Sequence, residues 1–293
     1  VSCVVIKSSL TLHPDCIPSL EDALYEIAPN NWSLIVNSDD GRGKIDGFFK
    51  TIEEAKEAIG VLEGVWGYEF QDEFTHMVFV EQDWAEAYKA HFKPWSFGTI
   101  HWVPEWEKKS FTVPSGHQAL YLDPGMAFGT GNHETTRLCL ESMIKVCEIK
   151  TVKDLMDIGC GSGILSLSAK LLGVDKVRAI DSDPDAIKVS KENANDNSIG
   201  GDIEFKVQPL ENLGNEVKFD LVVANIQADI LIKNSTILIQ QTKDKGTLVL
   251  SGILAKEINL VEKHFHKQLQ EDGISFSSQN TIKGEWSLLQ LSL

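Results

Sequence analysis

Residues 152–171 read VKDLMDIGCGSGILSLSAKL. The first part, VKDLMDIG, is a short apolar run of buried-strand character. The last part, continuing to Gly173 as SGILSLSAKLLG, has apolar residues at helical spacing. Between them lie Gly159, Gly161 and Gly163. Strand, tight turn and helix open a βαβ unit. Gly159 permits the bend, and Gly161 and Gly163 remove side chains where a ligand must approach the backbone. Glycine spacing alone is a weak signal. Its place between a strand and a helix strengthens it.

Strands and helices alternate on from there. VRAIDSD reads as a strand, PDAIKVSKENANDN as a helix, and IEFKVQ and FDLVVANI as strands. QADILIKNSTILIQQ reads as one helix, GTLVLSGI as a strand and LAKEINLVEKHFHKQLQ as a helix. ISFSSQNT and EWSLLQLS close the chain as a hairpin. The alternation predicts an α/β fold, a Rossmann-like and mostly parallel sheet with helices on both faces. The hairpin adds an antiparallel part, because only antiparallel neighbours can be joined so tightly.

Upstream, HETTRLCLESMIKVC is a helix and residues 95–116 suggest short strands. EQDWAEAYKAHFKP, residues 81–94, reads as a linker helix ended by Pro94. Residues 1–80 run strand, helix, strand, strand, helix, strand, with WGYEFQDEF as the last strand. Thr51 and Glu54 form a capping box at the second helix. This order is the split βαβ, α+β ferredoxin-like unit. It contains no paired catalytic groups, so a recognition role is expected. The predicted domains are thus 1–80, a linker at 81–94, and 95–293.

The 293 residues are 42% hydrophobic, enough for a sizeable core. No apolar run approaches the roughly 18 residues that span a bilayer. The opening VSCVVIKSSL lacks a basic n-region and a cleavage site, so no signal peptide and no membrane association are expected. Five cysteines without a CxxC suggest neither a disulfide framework nor a metal site, and fit reduced cytoplasmic thiols. Cys139 and Cys147 share one apolar helix face, which favours packing. His264 and His266 sit on a charged helix and read as solvated. Net charge is −16, and residues 1–80 hold 14 acidic side chains against 5 basic ones. Direct nucleic-acid binding is disfavoured. The acidity either steers a basic partner or serves only solubility.

Asp181 ends the strand after the glycine turn, 22 residues beyond Gly159. In that register an acid accepts hydrogen bonds from ribose hydroxyls; otherwise it is a surface acid at a strand end. The sixth position from Gly159 is Ile164, so the dinucleotide pattern G-x-G-x-x-G fails. The spacing is G-x-G-x-G preceded by Asp157, and it resembles that of S-adenosylmethionine enzymes. Asp157 reads as facing a cationic methionine portion, directly or through water, or as a capping or turn carboxylate. Asn225 ends the apolar strand FDLVVAN at the switch point of the sheet. Its amide oxygen can accept a hydrogen bond from an attacking amine, or the residue caps a helix, or both. Gln227 and Ala228 break the N-P-P-Tyr tetrad of many nucleic-acid and glutamine N-methyltransferases.

Residues 122–136, LDPGMAFGTGNHETT, form a second glycine-rich loop. It lacks a Gly-Lys-Ser/Thr ending and the strand before it is poor, so it is not a phosphate loop. It reads as a wall and partial lid, with Phe128 covering the methionine end, Asn132 capping the next helix and Thr136 reaching the cofactor. His133 is either a proton relay or a structural hydrogen-bonder.

Together LDPGMAFGTGNHETT, DIGCGSGILSLSA, AIDSDPDAI and VVANI resemble the bacterial methyltransferases of large-subunit ribosomal protein eleven, within the class I S-adenosylmethionine-dependent superfamily. The match covers about 120 residues in order. The resemblance implies S-adenosyl-L-methionine as cofactor and no metal. It implies a basic ribosomal protein as partner, methylated at lysine ε-amines and the N-terminal α-amine and held by the ferredoxin-like domain. It assigns Thr136, Gly159, Asp181 and Asn225 to cofactor contacts, and a cytoplasmic monomer is expected. The chain departs from the family pattern at Asn132, at Glu134 and after Asn225, all near the substrate mouth. The rivals are a methyltransferase acting on another protein or a small amine, a nicotinamide oxidoreductase, and a non-catalytic assembly factor.

Overall fold

A computed structural model of the chain describes residues 4–27, 32–36, 42–68, 70, 73–80, 93–122, 133–199, 201, 203–214 and 217–293. The chain divides into two compact units, residues 1–92 and 93–293.

The smaller unit contains β1 (Val4–Leu12), α1 (Ile17–Ile27), β2 (Trp32–Val36), β3 (Gly43–Phe49), α2 (Ile52–Trp66) and β4 (Thr75–Val80). Its antiparallel sheet has the order β2-β3-β1-β4, the ferredoxin-like arrangement. Period-2 alternation turns Leu10 and Ile45 toward the helices, where they pack with Leu20, Ile59 and Leu62. Thr51 caps α2 by accepting from the Glu54 N–H at 3.1 Å. The last strand is not WGYEFQDEF. Trp66 completes the buried stripe of α2, and Gly67 ends the helix at φ 80°. The pairing strand is THMVFV, which begins at Thr75. The predicted linker helix lies outside the described residues except for Lys93 and Pro94, which are not helical.

The larger unit begins with a separate three-stranded sheet, β5 (Trp95–Phe97), β6 (Ile100–Pro104) and β7 (Gln118–Leu122). The strand before the second glycine loop is therefore well formed, pairing with β6 from Gln118 to Leu122. Then follow α3 (Glu134–Ile149), β8 (Asp154–Ile158), α4 (Ile164–Leu171), β9 (Lys176–Asp181), α5 (Pro184–Asp196), β10 (Ile203–Val207) and β11 (Phe219–Asn225). The unit closes with α6 (Ala228–Lys233), α7 (Ser235–Gln241), β12 (Thr242–Leu254), α8 (Ile258–Glu271), β13 (Ser277–Lys283) and β14 (Trp286–Ser292). The stretch read as one helix is two, α6 and α7. They part at Asn234, whose side chain donates to the Ile230 carbonyl. The seven-stranded sheet has the order β10-β9-β8-β11-β12-β14-β13, parallel except for the two strands of the hairpin.

Both faces of β8, β11 and the latter half of β12 are buried, which explains why these strands read as continuous apolar runs. Leu155, Leu221 and Val223 pack with α3 and α4 on one face. Met156, Val222 and Ala224 pack with α6, α7 and α8 on the other. His264 and His266 are half-buried there rather than solvated. His264 bonds the Ser235 hydroxyl at 2.9 Å, and the His266 ring lies tilted against Phe276 at 4.8 Å. Cys139 is fully buried on α3 and Cys147 half-buried. Burial pushes the Cys147 thiol up to about 11, in keeping with packing.

The strand order reverses between β8 and β11, the position where open α/β sheets hold ligands. A bulge in β12 shapes this end, with Gly252 at φ 82° pressed against the backbone of Ile226. A side chain there meets both a left-handed backbone and a neighbouring carbonyl. Gly252→Ala is expected to cost about 1–3 kcal/mol. Thermal unfolding followed by circular dichroism checks this, and an unchanged midpoint contradicts it.

Candidate active site

A cavity of about 650 Å³ opens at the carboxyl ends of β8, β9, β10 and β11. Its size is that of a small-molecule site. Gly159 and Gly161 from the turn after β8 line it, as do Asp181 and Ser182 from β9. Gln208 to Glu211 follow β10, and Asn225 to Gln227 follow β11. Ile230, Gly252, His133, Thr135 and Trp286 complete much of the wall.

The glycine turn is held in a left-handed course, with φ of 72° at Gly159, 53° at Gly161 and 79° at Gly163. A Cβ on Gly159 falls 2.5 Å from Cγ2 of Ile226, so only glycine fits. The Gly161 N–H donates to Asp181 Oδ2 at 2.9 Å, and the Asp183 N–H donates to Oδ1 at 3.0 Å. A carboxylate offers about four lone-pair sites. Two are used in orienting Asp181, and the others remain for the hydroxyls of a diol.

Register explains where the other acids and amides lie. Val223 of β11 faces Asp157 of β8, and Asn225 follows two residues on, so both side chains stand on the α3 face of the sheet. Asn225 lines the cavity and its Nδ2 donates to Thr136 Oγ1 at 3.4 Å. Thr136 is fully buried and is not among the lining residues; its neighbour Thr135 is. Asp157 is also fully buried and outside the lining. Its Oδ2 accepts from the N–H and the hydroxyl of Ser166 at 3.1 and 2.6 Å. Oδ1 of Asp157 and Oδ1 of Asn225 are buried without a protein partner. Asn225 caps no helix, since α6 starts from Gln227, whereas Asp157 acts as a capping carboxylate for α4 by taking the Ser166 N–H of its first turn.

His133 is the residue that caps α3, the role expected of Asn132. Its Nδ1 accepts the Thr135 N–H at 3.4 Å and lies 2.8 Å from the Thr135 hydroxyl. Its ring meets Trp286 edge-on at 4.7 Å. Both contacts fit a structural hydrogen-bonder. Asn132 and Phe128 lie outside the described residues.

Burial pushes the Asp157 carboxyl up to about 7. The bonds from Ser166 pull it back and the negative charge of Asp181 pushes it further up. Asp181 and Glu211 make the cavity acidic, and its described lining contains no lysine or arginine. Lys233, outside that lining, pairs with Glu211 at 3.8 Å, which leaves Asp181 as the carboxylate open to a ligand. A cationic ligand with a diol and no phosphate suits these residues. It meets a carboxylate with spare lone pairs, the unpartnered Oδ1 of Asn225, and apolar walls from Ile180, Leu210, Ile226 and Ile230. S-adenosylmethionine has these features.

Several lining residues were not legible in the sequence: Ser182, Gln208, Leu210, Glu211, Ile226, Gly252 and Trp286. Most lie in turns after strands, where no periodic pattern marks them. The usable signal was positional, since residues following any strand of a parallel sheet face its carboxyl end.

The raised Asp157 pKa has a consequence for stability. The folded protein holds this proton more tightly than the unfolded chain. The contribution is full below about pH 4, falls as pH rises toward about 7, and is constant above. Without cofactor, the stability of wild type relative to Asp157→Asn should fall by at most about 1.4 kcal/mol per pH unit across that window. Urea denaturation at several pH values measures this, and a pH-independent difference contradicts it.

The family model described as ribosomal protein L11 methyltransferase (PrmA) matches residues 19–292. A ribosomal protein L11 methyltransferase from Caldicellulosiruptor saccharolyticus is 44% identical over 191 residues, covering 65% of this chain and 61% of that protein. Its counterpart from Dictyoglomus thermophilum is 38% identical over 216 residues, covering 74% of this chain and 66% of that protein. The matches thus span somewhat less than two thirds of these relatives. The crystal structure of a ribosomal protein L11 methylase from Lactobacillus delbrueckii subsp. bulgaricus superposes with a TM-score of 0.59 at 32% identity. That match covers 69% of this chain and 98% of the other. With residues 19–292 matched by its model, the chain belongs to the ribosomal protein L11 methyltransferase family.

Proposed function

We propose that this chain is an S-adenosylmethionine-dependent protein N-methyltransferase. It methylates lysine ε-amines and the N-terminal α-amine of ribosomal protein L11. The observation behind this reading is the acidic cavity without lysine or arginine in its described lining, with Asp181 fixed by two backbone N–H groups beside a left-handed glycine turn.

When bound, S-adenosylmethionine supplies an electrophilic methyl group on a positive sulfur. Asp181 accepts the ribose hydroxyls on its free lone pairs. Gly159, Gly161 and Gly163 let the backbone close on the ligand. Asp157 balances the cationic methionine portion, directly or through water. Phe128 covers that end, and Thr136 holds the amide of Asn225. Asn225 accepts an N–H from the incoming amine and aims its lone pair, so its contribution is positioning. A lysine amine has a pKa of about 10.4 and attacks only when neutral. Apolar walls at Ile226, Ile230 and Trp286 disfavour the ammonium, and its proton leaves to solvent.

Residues 1–80 serve as the substrate-recognition domain, 81–94 as the linker and 95–293 as the catalytic domain. The acidic chain suits a basic ribosomal protein better than nucleic acid. Among the described residues no helix is long and apolar enough to cross a membrane. The reading has the protein act in the cytoplasm as a monomer.

Asn225→Ala should lower methyl transfer to purified L11 by about a hundredfold while cofactor affinity changes little. Isothermal titration beside a transfer assay separates the two, and equal loss of both sinks the positioning role. Removing residues 1–80 should abolish transfer to L11 while cofactor still binds; undiminished transfer contradicts the recognition role. Tight NADH binding with no binding of S-adenosylmethionine overturns the whole reading.

A further inference from the structure

Helix α5 turns an unusual face inward. Ser190, Asn193 and Asn197 follow one another along its inner side, and Ser190 and Asn193 are buried. Amphipathic helices normally direct apolar side chains to such positions. None of the three residues lines the cavity. Each is engaged with backbone. Ser190 Oγ donates to the Gly161 carbonyl at 2.7 Å, with the Ala186 carbonyl also at 3.0 Å. Asn193 Nδ2 donates to the Ser162 carbonyl at 2.9 Å. Asn197 bonds both backbone groups of Tyr121 in β7, accepting its N–H at 2.8 Å and donating to its carbonyl at 2.5 Å.

The two upper rungs grip the glycine turn where it has least hold of its own. Gly161 and Gly163 have no side chains, and both have left-handed backbone. Gly161 is clasped on both sides: its carbonyl takes the Ser190 hydroxyl, and its N–H goes to Asp181 Oδ2. The direction of that N–H fixes one oxygen of the carboxylate.

We propose that Ser190 and Asn193 are positioning residues for the cofactor. They act through the carbonyls of Gly161 and Ser162 to set the turn and, with it, the carboxylate of Asp181. Asn197 anchors the helix to β7 and keeps the grip in register. This assignment rests on the reading of the cavity as an S-adenosylmethionine site. It predicts a loss confined to cofactor affinity, because the residues touch neither amine nor methyl group.

The test is isothermal titration of the full-length protein with S-adenosylmethionine, joined to steady-state transfer to L11. Ser190→Ala and Asn193→Ser should each raise the dissociation constant and the KM for cofactor about tenfold, the scale of one net hydrogen bond. The kcat at saturation and the KM for L11 should stay within about twofold of wild type. Ser190→Thr should restore most of the affinity, since a helical threonine can direct its hydroxyl to the preceding turn. Lys191→Ala, exposed on the same helix, should match wild type. Asn193→Ser removes the amide donor without burying a charge and gives a second reading if Ser190→Ala does not fold. Wild-type binding with unchanged affinity in the folded variants overturns the assignment alone. So does a fall in kcat at unchanged affinity. A wild-type protein that does not bind S-adenosylmethionine overturns the functional reading and this assignment with it.

Discussion

The hydrogen bond from the Gly161 N–H to Asp181 ties together the two strands that build the site. It joins the turn leaving β8 to the end of β9 at 2.9 Å. A glycine turn alone is loose, and a carboxylate at a strand end alone is free to rotate. Bonded to each other, they give a defined edge to the cavity. The rest of the larger unit supports that pair. The sheet sets β8 beside β9, α4 begins at Gly163, and α5 begins just beyond Asp181. Ile226 packs over Gly159 because no side chain occupies that space.

Much of this was legible in residue order. Gly159 and Asp181 could be placed because strand, glycine turn, helix and strand follow at short and regular spacing. The ferredoxin-like order could be read because the capping box at Thr51 marks a helix between strand patterns. The misreadings have physical causes. WGYEFQDEF has strand composition, but Trp66 is the next apolar residue on a helix that Gly67 ends. Asn234 breaks a stretch whose apolar spacing runs through it, because both its backbone N–H and its side chain bond back to the Ile230 carbonyl at the helix end.

Charge decides between the kinds of ligand this fold can hold. A glycine turn at a helix start often serves phosphate, with backbone N–H groups and nearby cations. Here the nearest acidic groups are Asp181 and Glu211, and the described lining offers no lysine or arginine. Such a cavity favours positive charge, matching family membership and a sulfonium ligand. Asn225 belongs to the same polar group, at the edge where an amine can arrive.

The most direct measurement is mass spectrometry of ribosomal proteins from cells with and without this protein. The account predicts methyl groups on the lysine side chains and N-terminal amine of L11 only where the protein is present. L11 with the same methylation in both, or methylation lost from a different protein while L11 is unchanged, contradicts it.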